Sequence, residues 1–238
     1  MLTMTGAFSS TTILVAGGTG ALGRAVSAAF IREGARVVTT FHGAAEYQSL
    51  SDALEEGRAR LEGEQVEVTD ELAVRRLVDS AIERHSRIDA LVNAVGGYAG
   101  DVKLWELESP LLDRMLALNL RSFHALGRAV VPVFLKQGRG AIVNVVARAA
   151  LDHSAGASAY AASKAAALAM TNSLAAELAG TGIRVNSILP RIIDTPANRR
   201  ATPNADFAGW TKPEGIAELI LFLCSDAAAV VHGAAVPV

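Results

Sequence analysis

The sequence predicts a single-domain α/β fold in which a doubly wound parallel sheet is covered by helices on both faces. Short β-branched runs alternate with longer stretches of helical period along the chain, and each run is apolar at consecutive positions. Strands of that kind are buried on both sides, which requires a layer of helices above and below the sheet. Because no Gly/Ser-rich or Pro-rich linker and no internal repeat interrupts the pattern, we predict one domain.

The elements follow one another in regular alternation. The first strand ends in a Gly-rich turn at 17–20, Gly34 stops the first helix, and Thr69 and Asp70 are placed to cap the helix that ends near His85. The predicted strands are 13–16, 36–40, 65–68, 88–93, 141–146, 183–188 and a last extended segment, 234–238. The predicted helices are 21–33, a short one within 44–62, one ending near 85, and 110–136, 158–179 and 213–224. The stretch 190–210 is predicted to be irregular.

Composition excludes several classes of protein. The 238 residues carry 22 Lys and Arg against 24 Asp and Glu, a formal net charge of −2, so we expect neither nucleic acid nor an anionic membrane as partner. Cys224 is the single cysteine and the five histidines lack ligand spacing, so we expect no metal site. The first cationic residue is Arg24 and charges interrupt every long apolar segment, so we expect no signal peptide, no membrane span and a cytoplasmic location.

The phosphate-binding pattern G-x-G-x-x-G occurs at Gly18–Gly23, between the first strand and the first helix. A plain Gly-rich turn is the alternative interpretation. Open parallel sheets bind ligands at the carboxyl ends of their strands, so functional residues are expected near 17–23, 41–43, 67–68, 93–97, 146–148 and 189–196. The acidic residue expected about 20 positions after the pattern is absent, because the second strand ends Thr39-Thr40-Phe41-His42. A 2′-phosphate would meet no repulsion there and could be accepted by His42 and the two threonines, which favours NADP slightly over NAD.

Tyr160 and Lys164 lie at i and i+4, and hence on one face of the helix predicted at 158–179. A nearby ammonium favours the phenolate, so we expect Lys164 to lower the pKa of Tyr160 and make it a usable acid or base. An ordinary cation beside an aromatic ring on a surface helix is the alternative.

In combination these motifs resemble the short-chain dehydrogenase/reductase family over nearly the whole chain, from Thr12 to Val238. The family motif T-G-x-x-x-G-x-G falls on 16–23, with alanine at positions 16 and 21. The N-N-A-G turn falls on 93–96, the helix asparagine on Asn119 and the P-G turn on Pro190-Arg191.

The resemblance implies a Rossmann fold and hydride transfer between a nicotinamide cofactor and a small carbonyl or alcohol substrate. It implies that Tyr160 is the general acid or base, that Lys164 also binds the nicotinamide ribose, and that Asn119 holds a water connecting Lys164 to solvent. A buried amide tying the helix together is the alternative for Asn119. The segment 191–212 would form the substrate lid. The implied cofactor-binding residues are Gly17, Thr19, Gly20, Leu22, Gly23, His42, Glu67, Val68, Asn93, Ala94, Gly96, Tyr160, Lys164, Pro190, Ile193 and Thr195.

One departure from the family concerns catalysis. Ala147 stands where the family places a serine that holds the substrate oxygen, thirteen residues before Tyr160. Ser154 or Ser158 could supply a replacement hydroxyl, although loop or capping roles are the alternative. The chain could instead be a catalytically impaired, nucleotide-binding or regulatory member of the family. A hydrolase is disfavoured because no G-x-S-x-G motif occurs.

Two further expectations concern partners. Arg148 and Arg191 flank the expected opening and could bind an anionic substrate, or they are simply solvated. The helices at 110–136 and 158–179 are apolar beyond one core-facing stripe, which predicts a homodimer or homotetramer through these two helices.

Overall fold

The computed structural model describes residues 6–238, which fold into seven strands and eight α-helices with short 3₁₀ turns between them. The strands are β1 (Thr12–Ala16), β2 (Arg36–Phe41), β3 (Leu61–Gln65), β4 (Ala90–Asn93), β5 (Gly140–Val145), β6 (Ile183–Leu189) and β7 (Ala235–Pro237). The helices are α1 (Ala21–Arg32), α2 (Ala44–Ala53), α3 (Glu71–His85), α4 (Ser109–Leu116), α5 (Ser122–Gln137), α6 (Ser158–Glu177), α7 (Pro196–Ala201) and α8 (Pro213–Cys224).

All strand pairs are parallel, in the order β3-β2-β1-β4-β5-β6-β7. The chain winds outward in both directions from β1 and β4, so their carboxyl ends form the point at which the strand order reverses. Ligands of doubly wound sheets bind at such a point. The predicted fold class is confirmed.

Two cores lie on opposite faces of the sheet. In β1, Ile13 and Val15 pack into one core with α1 and α8, whereas Leu14 packs into the other with α3 and α5. Consecutive residues of the strand therefore face different helical layers, which explains its uninterrupted apolar sequence. The predicted cap is also present, because Asp70 Oδ1 accepts hydrogen bonds from the amides of Leu72 and Ala73 at 2.9 and 3.1 Å.

The predicted position of the third strand, 65–68, is wrong. The strand occupies Leu61–Gln65 and ends where its partner ends, with Gln65 in register with Phe41. Its two glutamates form ion pairs with Arg84 of α3, so the edge strand contains charge instead of a β-branched run. Val66 and Val68 are buried because they pack into the core beyond the ladder.

The predicted helix 110–136 is interrupted. Residues Ala117–Arg121 form a π-helical segment between α4 and α5, and this segment contains Asn119. An extra residue in a helical turn re-aims a side chain, and such segments are common at functional sites. The stretch predicted to be irregular also contains the short helix α7.

Within residues 6–238, no helix is both long and apolar enough to cross a bilayer. The same residues contain no group of three His, Cys, Asp or Glu side chains arranged to hold a metal ion.

Candidate active site

The turn after β1 is shaped to bind phosphate groups. Gly17 has φ +76°, a left-handed conformation that disfavours any side chain. A Cβ on Gly18 would lie 1.8 Å from Thr39 Oγ1, and one on Gly23 would lie 2.1 Å from the carbonyl oxygen of Gly17. The first turn of α1 contains no acidic residue, and Gly20 at its N-cap has no side chain to occupy the free amides. Because amides at a helix N-terminus bind anions, this loop fits the pyrophosphate of a dinucleotide.

The side chains of Thr19 and Leu22 have different environments in this loop. Leu22 is buried in the core, so only its backbone faces the loop. Thr19 is half-buried, and its hydroxyl donates a hydrogen bond of 3.5 Å to Glu46 Oε2. Glu46 lies in the first turn of α2. Glu46 was not predicted, because the carboxylate was expected at the end of β2 and this one lies in the following helix.

The expectation that both threonines of β2 could accept a 2′-phosphate is wrong. Thr39 Oγ1 donates to the carbonyl oxygen of Val15 at 2.9 Å, and Thr40 Oγ1 accepts from the amide of Gly17 at 2.9 Å. Both side chains are buried and fasten β2 to β1 and the glycine loop. His42 remains as the exposed polar side chain just beyond the end of β2.

Glu67 and Val68 follow β3 at the expected edge of the sheet. Glu67 Oε1 accepts hydrogen bonds from the amide and the hydroxyl of Thr69, at 3.1 and 2.8 Å. These bonds lower the pKa of Glu67, with a smaller contribution from His42. The carboxylate is therefore an ionised acceptor beside the exposed imidazole, while Val68 is buried.

A buried chain of amides and hydroxyls links β4, β5 and α6. Asn93 Nδ2 donates to Asn144 Oδ1 at 2.9 Å, and Asn144 Nδ2 donates to Thr171 Oγ1 at 2.8 Å. Thr171 in turn donates to the carbonyl oxygen of Ala167, and Asn93 Oδ1 accepts from the amide of Val95. Buried polar groups need such partners, so this chain fixes the turn after β4 relative to α6. Neither Asn144 nor Thr171 was predicted, although a polar residue inside an apolar strand was a visible signal.

The turn after β4 passes directly over Asn119 and Lys164. Ala94 donates its amide to the carbonyl oxygen of Ala16 at 3.0 Å, which ties the turn to β1. A Cβ on Gly96 would lie 3.0 Å from both Asn119 Oδ1 and Lys164 Nζ. Glycine at this position allows the backbone to approach the two polar groups closely.

The amide of Asn119 is buried and fully engaged as a donor. Its Nδ2 donates to the carbonyl oxygen of Gly97 at 3.0 Å and to Ser163 Oγ at 2.9 Å. Its Oδ1 accepts from the amide of Gly97 at 3.0 Å. The asparagine thus ties the π-helical segment to the turn after β4 and to α6, as the structural alternative predicted.

Tyr160 and Lys164 begin α6 at the carboxyl edge of the sheet. Lys164 is 5% exposed, and its Nζ donates to the carbonyl oxygen of Val145, the last residue of β5, at 3.1 Å. Tyr160 is half-buried, and its ring packs edge-on against Tyr98, with the ring centroids 5.0 Å apart and an interplanar angle of 74°.

The expected effect of Lys164 on the acidity of Tyr160 is wrong for this structure. Burial raises the pKa of Tyr160 to about 12, and the neighbouring Tyr98 adds to the rise. Burial also lowers the pKa of Lys164 to about 8, because the charged ammonium is removed from water. Desolvation therefore governs the pKa of both groups, and Tyr160 is a protonated phenol near neutral pH.

Ala147 lies just past β5 and is buried, at 5% exposure. The amide of Arg148 donates to the carbonyl oxygen of Pro190 at 2.8 Å, which joins the ends of β5 and β6. Of the two candidate replacement hydroxyls, Ser154 is exposed, and Ser158 Oγ is buried with no hydrogen-bond partner within residues 6–238.

Arg148 and Arg191 both form ion pairs with Asp152, near the carboxyl ends of β5 and β6. Arg148 Nε lies 3.0 Å from Asp152 Oδ2, and an Arg191 guanidinium nitrogen lies 3.7 Å from the same oxygen. The two cations therefore share one counter-charge near the opening.

The segment after β6 folds back on itself. Asp194 donates its amide to the carbonyl oxygen of Thr211 at 2.9 Å, and Thr211 donates to that of Ile192 at 3.3 Å, beside the bridge between Ile193 and Thr211. Thr195 caps α7, accepting from the amide of Asn198 at 3.1 Å. A groove of about 720 Å³ separates this segment from α1 and α2, but neither Tyr160 nor Lys164 lines it.

Comparison with known proteins identifies the family. Residues 11–206 match the family model described as short chain dehydrogenase. The chain belongs to the short-chain dehydrogenase/reductase family. It is 32% identical over 228 residues to a 3-oxoacyl-[acyl-carrier-protein] reductase of Thermotoga maritima, covering 92% of each chain. It is 34% identical over 233 residues to a D-threitol dehydrogenase of Mycolicibacterium smegmatis, covering 93% of this chain and 88% of that one.

Solved structures of the same family have the same fold. A putative short-chain dehydrogenase/reductase from Burkholderia xenovorans superposes with a TM-score of 0.92 at 30% identity, covering 98% of this chain and 96% of the other. A levodione reductase superposes with a TM-score of 0.90 at 25% identity, covering 97% and 96%. The predicted family and Rossmann fold are confirmed, and the protein is an NAD(P)-dependent oxidoreductase of the short-chain type.

Proposed function

We propose that this short-chain dehydrogenase/reductase interconverts a small carbonyl compound and its alcohol at a site formed by Tyr160, Lys164 and Asn119. The observation that carries the proposal is that Lys164 and Asn119 lie together at the turn after β4, with Tyr160 one helical turn before Lys164. Tyr160 and Lys164 share one face of α6, and Lys164 Nζ and Asn119 Oδ1 both lie against Gly96 at the end of β4.

In the direction of reduction, Tyr160 donates its proton to the carbonyl oxygen. The raised pKa of Tyr160 suits this role because the phenol holds its proton at neutral pH. A bound nicotinamide cofactor supplies the hydride that reaches the carbonyl carbon. Lys164, whose pKa burial lowers to about 8, can pass a proton to the resulting phenolate, and the second lone pair of Asn119 Oδ1 can hold the water that restores that proton.

The cofactor would lie along the edge from the glycine loop to α6. The free amides at the start of α1 favour binding of the pyrophosphate, and Glu67, Val68, Asn93 and Ala94 border the adenosine side. Pro190, Ile193 and Thr195 would contact the nicotinamide end, with the Lys164 ammonium on its ribose.

We propose a slight preference for NADP over NAD. No carboxylate occupies the end of β2, and the exposed His42 stands there as a hydrogen-bond donor for a 2′-phosphate. Glu46, which approaches Thr19 to 3.5 Å, is the nearby carboxylate that opposes this preference. If the protein instead binds NAD more tightly than NADP, we would attribute that preference to repulsion between Glu46 and the 2′-phosphate.

We also propose that residues 191–212 form the substrate lid. The two hydrogen bonds that Thr211 makes, to Asp194 and Ile192, close the base of the segment. Within it, Asp194 Oδ1 pairs with Arg199 Nε at 2.5 Å, and the Arg199 guanidinium lies 4.7 Å from the centre of the Phe207 ring. These internal contacts support movement of the segment as a unit about its closed base.

A homodimer or homotetramer through α5 and α6 is proposed, together with a cytoplasmic location. A groove of about 350 Å³ runs between the two helices, and Val131, Met170 and Leu174 contribute apolar side chains to it. A second copy of the same pair of helices would cover this surface by self-complementary packing.

The alternative function is that of a nucleotide-binding or regulatory protein with little catalysis, and Ala147 supports it. A preorganised hydrogen-bond donor to the reacting oxygen contributes about 10²–10³-fold in rate, and Ala147 cannot be such a donor.

The deciding experiment combines cofactor titration with a panel of carbonyl and alcohol compounds, followed by nicotinamide absorbance. A 3-oxoacyl thioester and D-threitol head the panel, because relatives of the chain are named for such substrates. The proposal expects turnover that Tyr160→Phe reduces by about 10²-fold or more without weakening cofactor binding. Tight cofactor binding with no turnover on any compound would establish the binding protein instead.

A further inference from the structure

The missing hydroxyl at position 147 leaves the substrate oxygen without its second hydrogen-bond donor, and few groups near Tyr160 can replace it. Ser163 is already used, since its hydroxyl donates to the carbonyl oxygen of Tyr160 at 2.8 Å and accepts from Asn119. Ser158 precedes Tyr160 by two positions in α6, about 200° around the helix, and therefore faces away from it.

Tyr98 lies directly against the proposed acid. The two rings meet edge-to-face with centroids 5.0 Å apart, and Tyr98 is 63% exposed. Within residues 6–238 its hydroxyl makes no hydrogen bond, so it is available to a ligand. The Tyr98 phenol also contributes to the raised pKa of Tyr160, as expected for two rings in contact.

The backbone around Tyr98 is fixed on both sides. The preceding residue, Gly97, exchanges two hydrogen bonds with the Asn119 side chain, each 3.0 Å long. After it, the amide of Val102 donates to the carbonyl oxygen of Gly156 at 3.2 Å, two residues before α6 begins. A phenol on this short, doubly anchored loop is held against the start of α6, which is the preorganisation that a catalytic donor requires.

Gly100 provides the space for the phenol. A Cβ at this position would lie 2.0 Å from the Tyr98 hydroxyl. Any side chain there would push the phenol away, so the glycine permits the edge-on contact with Tyr160.

We propose that Tyr98 is a further catalytic residue whose hydroxyl donates a hydrogen bond to the substrate carbonyl oxygen, in place of the hydroxyl that Ala147 lacks. The inference rests on the proposed function. Tyr98 keeps its proton throughout: the carbonyl carbon gains the hydride, the oxygen gains the proton of Tyr160, and Tyr98 stabilises the charge that develops on that oxygen.

Tyr98→Phe tests the inference because it removes the hydroxyl and keeps the ring that packs on Tyr160. We expect kcat to fall by about 10²-fold with KM little changed, since the bond strengthens as charge develops on the oxygen. Tyr47→Phe is the matched control, because Tyr47 lies on α2, stacked on Phe41, and its hydroxyl bonds to Leu61. Its kcat should stay within twofold of the wild type.

A second experiment restores the serine that the family has at position 147. Ala147→Ser in the Tyr98→Phe background should recover most of the lost rate, because the new hydroxyl reaches the same oxygen.

Binding of the alcohol to the enzyme with reduced cofactor, a mixture that cannot turn over, should weaken in Tyr98→Phe and not in Tyr47→Phe when measured by calorimetry.

Two results separate failure of this inference from failure of the proposed function. A wild-type enzyme that turns over while Tyr98→Phe keeps its kcat and its alcohol affinity would overturn the role of Tyr98 alone. A wild type that binds cofactor and converts no compound on the panel would overturn both.

Discussion

Asn119 holds the backbone of Gly97 from both sides: its Oδ1 accepts from the Gly97 amide and its Nδ2 donates to the Gly97 carbonyl oxygen, both at 3.0 Å. The relationship joins a π-helical segment to the turn after β4, and it aligns the turn with Lys164 across Gly96. One buried side chain thus fixes the turn after β4 relative to α6, which contains Tyr160 and Lys164.

Asn119→Ala should therefore destabilise the protein as well as reduce activity. Gly97 and Ser163 would lose buried partners, which costs about 1–3 kcal/mol in the free energy of unfolding. Urea unfolding measures the loss. Asn172→Ala, at an exposed position of α6, is the matched control and should change the midpoint little. An unchanged midpoint in Asn119→Ala would contradict the structural role of this amide.

The buried amine of Lys164 makes stability depend on pH. Burial lowers its pKa from 10.5 to about 8, so between these values the unfolded chain holds a proton that the folded chain has released. The free energy of unfolding therefore rises with pH across this window, and below about pH 8 the folded state bears the cost of a buried charge.

Lys164→Met removes that charge and keeps an apolar stem. It should stabilise the protein near pH 7 by about 2 kcal/mol, the cost of the charge less the lost hydrogen bond to Val145, while abolishing activity. The gain should shrink toward about pH 10, where the wild-type amine is neutral. Urea unfolding at both pH values checks this expectation, and a destabilised variant near neutral pH would refute it.

The residue at the end of β2 should control cofactor preference. His42→Asp places a carboxylate where a 2′-phosphate is expected, and should weaken NADP binding at least tenfold while leaving NAD binding nearly unchanged. Cofactor dissociation constants from fluorescence titration give the comparison. His42→Asn, which adds no charge, should show a much smaller effect; equal losses in the two variants would mean that repulsion is not the cause.

The surface between α5 and α6 should control assembly. Ser173 is exposed and lines the groove between these helices, so Ser173→Arg places a long cation in the proposed self-association surface. Sedimentation velocity should show a shift to monomer with an unchanged circular dichroism spectrum. Glu83→Arg, at an exposed position of α3, is the control: it introduces the same side chain with a larger change of charge, and it should leave assembly intact. A monomeric wild type would remove the basis of this prediction.

Local sequence patterns were sufficient to predict the fold class, and they also supplied the residues of the proposed site. The alternation of buried strands and helices, the glycines of 17–23 and the i, i+4 spacing of Tyr160 and Lys164 depend on neighbours along the chain, and the helix α8 was predicted at its observed bounds. The pattern was insufficient at β3, because the extent of an edge strand depends on where its partner β2 ends.

The remaining features depend on groups far apart in sequence that folding brings together. Thr40 turned out to bind the amide of Gly17, and the Asn93 side chain bonds to Asn144, fifty-one positions away. The pKa of Tyr160 is raised, whereas the i, i+4 spacing predicted that it would be lowered. Desolvation depends on all the groups packed around the phenol, and the spacing gives information on only one of them. Spacing along the chain therefore predicted which groups are proposed to react, whereas the protonation and support of those groups depend on burial and long-range hydrogen bonds that exist only in the folded protein.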